Sequence, residues 1–316
     1  MSQGPKRTPD RRGEGDRRRG GQGREGHGQR QQRDDSRRNP RKGGAPGARD
    51  GRARPPGGQR GRGQRPSPFL VKGELLFGRN AILEALRAAR RAPTRLWVAE
   101  GLRQDDRVDE IVELARRAEV LVETVPRSML DDAAPDVNHQ GVLLESPEYP
   151  YVDLADVVEA EGNVLILDHL QDPQNVGTLL RAAEAAGTAG VIIPSDRSAG
   201  VSPAVVNASA GAVEHLQIAQ VPNLGNAIEK LDASGRWIVG LDGGPGSQDL
   251  FATDVPTPAA LVIGSEGSGL TPNIRKRCQL IVSIPMGGRV ESLNAATAGA
   301  IALFDLVRRA QTEEPA

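Results

Sequence analysis

The sequence predicts an α/β fold dominated by a parallel sheet, and three observations support this prediction. Short, continuously apolar runs alternate with helical stretches from residue 163 onward, as at 164–168 and 261–264. Such runs are typical of parallel strands that helices cover on both faces. Residues 73–146 also mix strand-like and helix-like stretches, which predicts a separate small α/β domain. The first 68 residues contain only four apolar side chains, too few to form a core, and we expect them to be disordered.

The small domain is predicted element by element. A helix is expected from Asn80, because Ile82, Leu83 and Leu86 form one apolar stripe at helical spacing. The remaining elements are a strand at 95–99, a helix at 106–118, a strand at 120–125 and a strand at 139–145. A unit of about 75 residues is near the lower size limit for an independent core.

A proline-containing, acidic stretch at 147–162 is interpreted as a linker with a short helix, and a larger domain follows at 163–311. Asp172 and Pro173 are a typical N-cap and first-turn pair, so a helix is expected at 173–186. A long helix from about 291 to 310 is expected to end the domain. Its predicted strands lie at 164–168, 191–194, around 216–219, 237–241, 261–264 and 280–284.

The formal net charge of zero conceals a strong division between the tail and the rest of the chain. Residues 1–68 contain 20 basic and 7 acidic residues, a net charge of +13, and the remaining residues therefore carry −13. Arg/Gly-rich segments attract polyanions, above all RNA, through counterion release. A solubilising tail without a specific partner is the alternative interpretation.

Several classes of protein are excluded by composition. One cysteine allows no intramolecular disulfide, and four scattered histidines give no expected metal site. No window approaches the apolar length of a membrane span, and the polar N-terminus does not fit a signal peptide. We therefore expect a cytoplasmic protein with neither metal nor membrane partner.

Three unusual loops follow predicted strands, where ligands bind in open α/β sheets. The first contains Asn175 and Gly177, which are poor helix formers in the first turn of a predicted helix. Asn175, Thr178 and Arg181 lie three residues apart and are expected to share a polar arc of that helix. The second loop is Gly264-Ser-Glu-Gly-Ser-Gly, and the third runs from Ile284 into the last helix. Taken separately, each loop is also compatible with an ordinary turn or a solvated helix face.

Taken together, the loops resemble the three motifs of the SpoU/TrmH class of SPOUT RNA 2′-O-ribose methyltransferases. The matching strings are Asn175-x-Gly177-x-x-x-Arg181, Leu261-Val-Ile-Gly-Ser-Glu-Gly and Ile284-Pro-Met-x-Gly-x-x-x-Ser-Leu-Asn. Upstream, Phe77-Gly-Arg-Asn-Ala-Ile-Leu-Glu-Ala-Leu and Asn138-His-Gln-Gly-Val resemble the ribosomal-protein-like RNA-binding domain of one branch of that class. That branch includes the enzyme that modifies a 23S rRNA guanosine.

The resemblance implies a fold, a cofactor, an assembly and a set of site residues. The C-terminal segment would thread a loop to form a trefoil knot, and S-adenosyl-L-methionine would bind in the knot loops of a homodimer. Residues at the family's catalytic positions are Arg181, Glu266, Ser292 and Asn294, and those at cofactor-contacting positions are Gly264, Ile284 and Leu293. RNA contacts are expected from Asn175, Arg79, Asn80 and His139.

Physical reasoning places Arg181 on the RNA side, where its guanidinium would stabilise a developing 2′-oxyanion. Asn294 and Ser292 would orient Arg181 or the ribose, and Glu266 would fix its loop or the arginine. Glu266 serving only to tie down its loop is an open alternative.

Other residues also have alternative roles. His139 fits a packing or hydrogen-bonding role better than a catalytic one, while Arg79 and Asn80 either contact RNA or cap a helix. The family often continues Val-Ser after Ser-Leu-Asn, whereas this chain has Ala295-Ala296, so any role of a hydroxyl at position 296 is absent.

The predicted function is transfer of a methyl group from S-adenosyl-L-methionine to a ribose 2′-OH of RNA, with a guanosine of 23S rRNA as the expected target. The alternatives are a tRNA ribose methyltransferase of the same family and a non-catalytic RNA-binding factor in ribosome assembly. The region at 73–146 favours rRNA, and the four residues at catalytic positions argue against loss of catalysis.

Overall fold

The computed structural model describes residues 69–290 and 292–313, so the predictions for residues 1–68 lie outside the described part of the chain. The small domain begins with β1 (Glu74–Phe77) and α1 (Arg79–Ala88), followed by β2 (Arg95–Ala99) and α2 (Asp106–Arg117). It continues with β3 (Leu121–Val125), α3 (Arg127–Ala133) and β4 (Val142–Ser146). The sheet order is β1-β4-β2-β3, with β2 and β3 parallel and β4 antiparallel to both of its neighbours.

The small sheet is covered on both faces, which explains why its two central strands, β2 and β4, are largely buried. Helices α1 and α2 pack Ile82 and Ile111 against one face. On the other face, Phe69 stacks on Trp97 with ring centroids 4.2 Å apart, and Leu130 of α3 packs beside them. The predicted strands and helices of this region are present, and β1 and α3 are additional elements that the sequence pattern did not indicate.

The segment predicted as a linker does contain a short helix, α4 (Leu154–Glu159), and it is packed rather than free. The hydroxyl of Tyr149 donates to the carbonyl oxygen of Leu216 at 2.7 Å, and the hydroxyl of Tyr151 accepts from the backbone N–H of Val201 at 2.8 Å. Residue 152 also pairs with the outermost strand of the large sheet.

The large domain has a parallel sheet of seven strands, which confirms the predicted fold class. The strand order is β7-β6-β5-β10-β8-β11-β9, and every ladder between neighbouring strands is parallel. The strands are β5 (Val164–Asp168), β6 (Gly190–Pro194), β7 (Ile218–Val221), β8 (Trp237–Leu241), β9 (Gln248–Asp249), β10 (Ala259–Gly264) and β11 (Leu280–Ser283). The helices are α5 (Pro173–Ala185), α6 (Pro203–Ala208), α7 (Leu224–Ala233), α8 (Pro272–Arg275) and α9 (Ala295–Glu313), with a 3₁₀ turn at Ala212–His215.

Two glycines let α5 pack closely against its neighbours. A Cβ atom at Gly177 would collide with the Cβ of Ala208 in α6 and lie 2.8 Å from the backbone nitrogen of Ser209. A Cβ at Gly299 of α9 would collide with side chains of β10 and α5. Gly177 is therefore required by helix packing, which explains a poor helix former in the first turns of α5.

The final helix begins later than predicted. It starts at Ala295 instead of near residue 291, so Ser292 and Asn294 precede the helix and do not lie in its first turns. The reason is that the Asn294 carbonyl oxygen accepts from the N–H of Ala298, while its side chain caps the helix start. In the described part of the chain, no helix combines the length and apolar character needed to cross a membrane.

Candidate active site

The loops that follow β8, β10 and β11 converge at the carboxyl end of the sheet and enclose a pocket of about 520 Å³. These three strands are neighbours in the sheet, so segments far apart in sequence meet there. The residues that line the pocket are 241–243, 263–267, Gly269, Ser283, Ile284, Met286, 292–295 and Ala298.

The loop after β10 is held in a tight turn that only glycine allows. The backbone N–H of Ser265 donates to the Gly269 carbonyl at 3.1 Å, and the N–H of Gly269 donates back to Ser265 at 2.9 Å. A Cβ at Gly264 would collide with the Gly269 carbonyl, and Gly269 itself has a positive φ of 65°. Because these glycines have no side chains, the backbone itself forms this part of the pocket wall.

Asn294 connects all three sequence motifs. Its Nδ2 donates to Asn175 Oδ1 at 2.9 Å and to Glu266 Oε1 at 2.5 Å. Its Oδ1 accepts from the backbone N–H groups of Ala296 at 2.9 Å and Thr297 at 3.2 Å, which makes it the N-cap of α9. Both amide hydrogens and the amide oxygen of Asn294 are thus committed to the protein itself.

Six of the predicted catalytic and cofactor-contacting residues line this one pocket, and Arg181 does not. The six are Gly264, Glu266, Ile284, Ser292, Leu293 and Asn294. Arg181 is exposed on α5, six residues and about 9 Å along the helix axis from Asn175. Ser292 is exposed, and no hydrogen-bond partner for its hydroxyl occurs among residues 69–290 and 292–313.

The predicted polar arc of α5 is wrong in one member. Thr178 and Arg181 are exposed, but Asn175 is only 8 % exposed because α5 turns that side chain toward the loop containing Asn294. Each step of three residues turns 300° around the helix axis, which is less than a full turn. The three side chains therefore point in different directions, and Asn175 lies on the buried side of α5.

Two of the residues predicted to contact RNA are engaged inside the small domain. The Arg79 guanidinium donates to the Gln140 carbonyl at 3.1 Å and forms an ion pair with Asp105, the N-cap of α2. His139 is 3 % exposed; its Nδ1 accepts from the N–H of Gly141 at 3.1 Å.

That acceptor role fixes the proton of His139 on Nε2, which donates to Asp131 Oδ1 at 2.9 Å. Both ring nitrogens of His139 therefore make hydrogen bonds within the small domain, in agreement with the packing or hydrogen-bonding role considered for this residue. Asn80, in contrast, is exposed in the first turn of α1.

Sequence reasoning did not single out two acidic residues at the site. Asp242 follows β8, lines the pocket and forms an ion pair with Arg275. Asp168, at the end of β5, is 0 % exposed and accepts from the N–H of Thr271 at 2.7 Å. A carboxylate at the end of a buried strand is the sequence signal that could have identified both positions.

The charges around the pocket are acidic. Among its lining residues, the titratable side chains are Asp242 and Glu266, and none of the lining residues is a lysine, arginine or histidine. Within the described ranges no group of three or more potential ligands is arranged to hold a metal ion.

Known proteins share both parts of this architecture. Residues 162–304 match the SpoU rRNA Methylase family, and residues 75–152 match the RNA 2′-O ribose methyltransferase substrate-binding family. YacO of Bacillus subtilis (strain 168), named as a TrmH family tRNA/rRNA methyltransferase, is 36% identical over 242 residues, covering 75% of this chain and 96% of the relative. An uncharacterized protein of Mycolicibacterium smegmatis (strain ATCC 700084 / mc(2)155), named as a tRNA/rRNA methyltransferase, is 39% identical over 242 residues, covering 75% of this chain and 76% of the relative.

Solved structures of methyltransferases have a similar fold. The SpoU methyltransferase AviRb from Streptomyces viridochromogenes, in complex with AdoMet, has a TM-score of 0.64 at 28% identity and covers 75% of this chain and 90% of its own. An AdoMet-bound rRNA methyltransferase from Sinorhizobium meliloti has a TM-score of 0.63 at 26% identity, with 75% and 87% covered. AdoMet, the cofactor predicted from the sequence, is bound by both of these neighbours.

The parallel sheet, the pocket at its carboxyl end and the preceding small domain define the class as an RNA methyltransferase of the SpoU type. The chain belongs to the SpoU/TrmH family of tRNA/rRNA methyltransferases.

Proposed function

We propose that the protein transfers the methyl group of S-adenosyl-L-methionine to a ribose 2′-OH of RNA, with a guanosine of 23S rRNA as the target. The observation that carries the proposal is the hydrogen-bonded junction of Asn175, Glu266 and Asn294 at the rim of one pocket. This junction joins the three motifs on which the family resemblance rests.

The pocket fits the proposed cofactor. Its volume of about 520 Å³ lies within the roughly 300–1,000 Å³ usual for small-molecule sites. Leu241, Ile263 and Ile284 offer apolar walls, the glycine turn offers backbone polar groups, and the carboxylates suit a cationic ligand. The residues proposed to hold the cofactor are Gly264, Ile284 and Leu293.

Arg181 is proposed to act on the pocket of a second copy of the chain. It is exposed and lies outside its own pocket. Large apolar side chains lie exposed at the pocket rim and on α9, which supports a contact with another subunit; they are Met286 at 37%, Val290 at 64%, Leu293 at 36% and Phe304 at 49% exposure. A homodimer with each active site completed across the interface follows from this proposal.

Each side chain then has a distinct task in an in-line displacement. The bound cofactor supplies an electrophilic methyl group. Arg181 grips the phosphate next to the target and stabilises the developing 2′-oxyanion, since a guanidinium only donates hydrogen bonds and is a poor base. The exposed hydroxyl of Ser292 is available to the ribose, and the proton leaves to water or phosphate.

The structure changes the expected role of Asn294. Because its amide is fully committed to Asn175, Glu266 and the start of α9, we assign it to holding the pocket rim. It therefore positions Glu266 and does not orient Arg181 or the ribose.

A subunit-mixing experiment tests the shared active site. Arg181→Ala and Asn294→Ala are each expected to be inactive, Arg181→Ala with unchanged cofactor affinity. Random mixing gives about half heterodimers with one intact site each, so methyl transfer to RNA should return to about a quarter of the wild-type rate. Mixing that restores nothing, together with a monomer in solution, contradicts the shared site.

The substrate is tested separately by mapping 2′-O-methyl groups in RNA from a deletion strain. Loss of one methylated guanosine in 23S rRNA is expected, and loss of a tRNA methyl group would favour the tRNA alternative. Cofactor binding without methyl transfer to any RNA fraction would support a non-catalytic assembly factor.

The basic tail is proposed to supply non-specific RNA affinity in a cytoplasmic enzyme. Deleting residues 1–68, which carry a net charge of +13, should flatten the dependence of log K on log salt concentration. An unchanged slope would leave the tail with a solubility or partner-binding role.

A further inference from the structure

Asp168 is a buried carboxylate that the proposed mechanism does not use. It ends β5 and is 0 % exposed. Its Oδ2 accepts from the backbone N–H of Thr271 at 2.7 Å, and its Oδ1 lies 2.6 Å from Nδ1 of His169. A carboxylate accepts from both neighbours, so the proton of His169 is on Nδ1.

This carboxylate lies directly beside the cofactor loop. In the parallel ladder between β5 and β10, Asp168 pairs with Gly264, the lining residue that begins the loop. Thr271, whose N–H donates to Asp168, ends the same loop as the N-cap of α8. Adjacent strands are separated by about 4.8 Å, so the backbone of Asp168 lies one strand spacing from that of Gly264 in the pocket wall.

Asp168 is also the one carboxylate near the pocket that is both buried and without an arginine or lysine partner among the described residues. Asp242 is paired with Arg275, and Glu266 is exposed to solvent, which screens its charge. Burial is the main cause of the raised pKa of Cys278; Arg275 opposes the rise, and the negative charge of Asp168 adds to it.

We propose that Asp168 makes the pocket discriminate by charge, favouring the sulfonium cofactor over its neutral demethylated product. S-adenosyl-L-methionine carries a positive sulfonium, and S-adenosyl-L-homocysteine carries an uncharged thioether. A buried negative charge attracts the first and not the second, so it lowers product retention after each methyl transfer. This inference rests on the proposed cofactor function of the pocket.

The test compares three ligands in Asp168→Asn by isothermal titration calorimetry on the full chain. Asparagine keeps the shape and can still accept from the N–H of Thr271, while its NH₂ can donate to His169 in the other tautomer. The ligands are S-adenosyl-L-methionine, S-adenosyl-L-homocysteine and sinefungin, in which a protonated amine replaces the methyl sulfonium. Asp109→Asn, an exposed position on α2, is the control for overall charge.

The affinity for the two cationic ligands should fall about tenfold, or about 1.4 kcal/mol, in Asp168→Asn, while affinity for the neutral product stays within about twofold. Equal losses for all three ligands would overturn the proposal, because they would mean that Asp168 only shapes the loop. Unchanged affinities would overturn it too. A wild-type protein that binds none of the three would instead refute the cofactor function on which the proposal rests.

Discussion

Arg91 forms a buried ion-pair network between the small and large domains, and its removal should be strongly destabilising. Its guanidinium contacts Glu74 at 2.7 Å and Glu214 at 2.8 Å, with 1% of the Arg91 side chain and 0% of the Glu214 side chain exposed. Replacing one member of a buried pair leaves an uncompensated charge and costs about 3–5 kcal/mol. We therefore expect Arg91→Met to lower the free energy of unfolding by about 3–5 kcal/mol at pH 8.

The pH dependence follows from Glu214. Burial raises its pKa, and the attraction of Arg91 opposes the rise. A raised carboxyl pKa means that the folded protein binds the proton more tightly than the unfolded chain. Stability is therefore lost as the pH rises from the ordinary glutamate value through the folded value. Without Arg91 that interval extends to higher pH, so Arg91→Met should be less destabilising at pH 5 than at pH 8.

The assay is urea-induced unfolding at both pH values, with Arg87→Met as the matched control. Arg87 also pairs with two carboxylates, Glu84 and Glu110, but its side chain is 44% exposed. Exposed pairs contribute about 0–1 kcal/mol, so the control should cost less than about 1 kcal/mol at either pH.

A double variant separates charge from packing. Arg91→Met combined with Glu214→Leu removes both charges and should recover much of the lost stability. The reasoning is refuted if Arg91→Met costs no more than Arg87→Met, or if its cost is the same at pH 5 and pH 8.

Three further predictions concern packing, the pocket rim and the cysteine. Gly177→Ala should destabilise the fold by about 1–3 kcal/mol in denaturant unfolding, because its Cβ would collide with Ala208; an unaffected midpoint would mean that α5 and α6 separate easily. Asn294→Asp keeps the side-chain oxygen that caps α9 but places a second carboxylate against Glu266. Calorimetry should therefore detect weaker cofactor binding, while the melting temperature stays nearly unchanged. A large decrease in melting temperature would contradict the preserved cap. Burial raises the pKa of Cys278 to about 12, so the native thiol should resist a disulfide reagent at pH 8 and react once the protein is unfolded; rapid native reaction would show that the thiol is accessible.

The local sequence predicted most of the elements and the position of the pocket. Continuous apolar runs such as Val164–Asp168 and Ala259–Gly264 identify buried parallel strands, because a strand covered on both faces needs apolar side chains throughout. Loops after such strands meet at one edge of the sheet, which is why Gly264, Glu266 and Asn294 could be expected to lie together.

Which polar groups pair with each other was decided only by the tertiary structure. Asn294 and Asn175 are 119 residues apart and meet because of the strand order, which no local pattern encodes. The same folding commits Arg79 and His139 to internal partners and leaves Arg181 exposed outside its own pocket. Hydrogen-bond capacity is finite, so a polar side chain's role depends on which neighbours have already used its donors and acceptors.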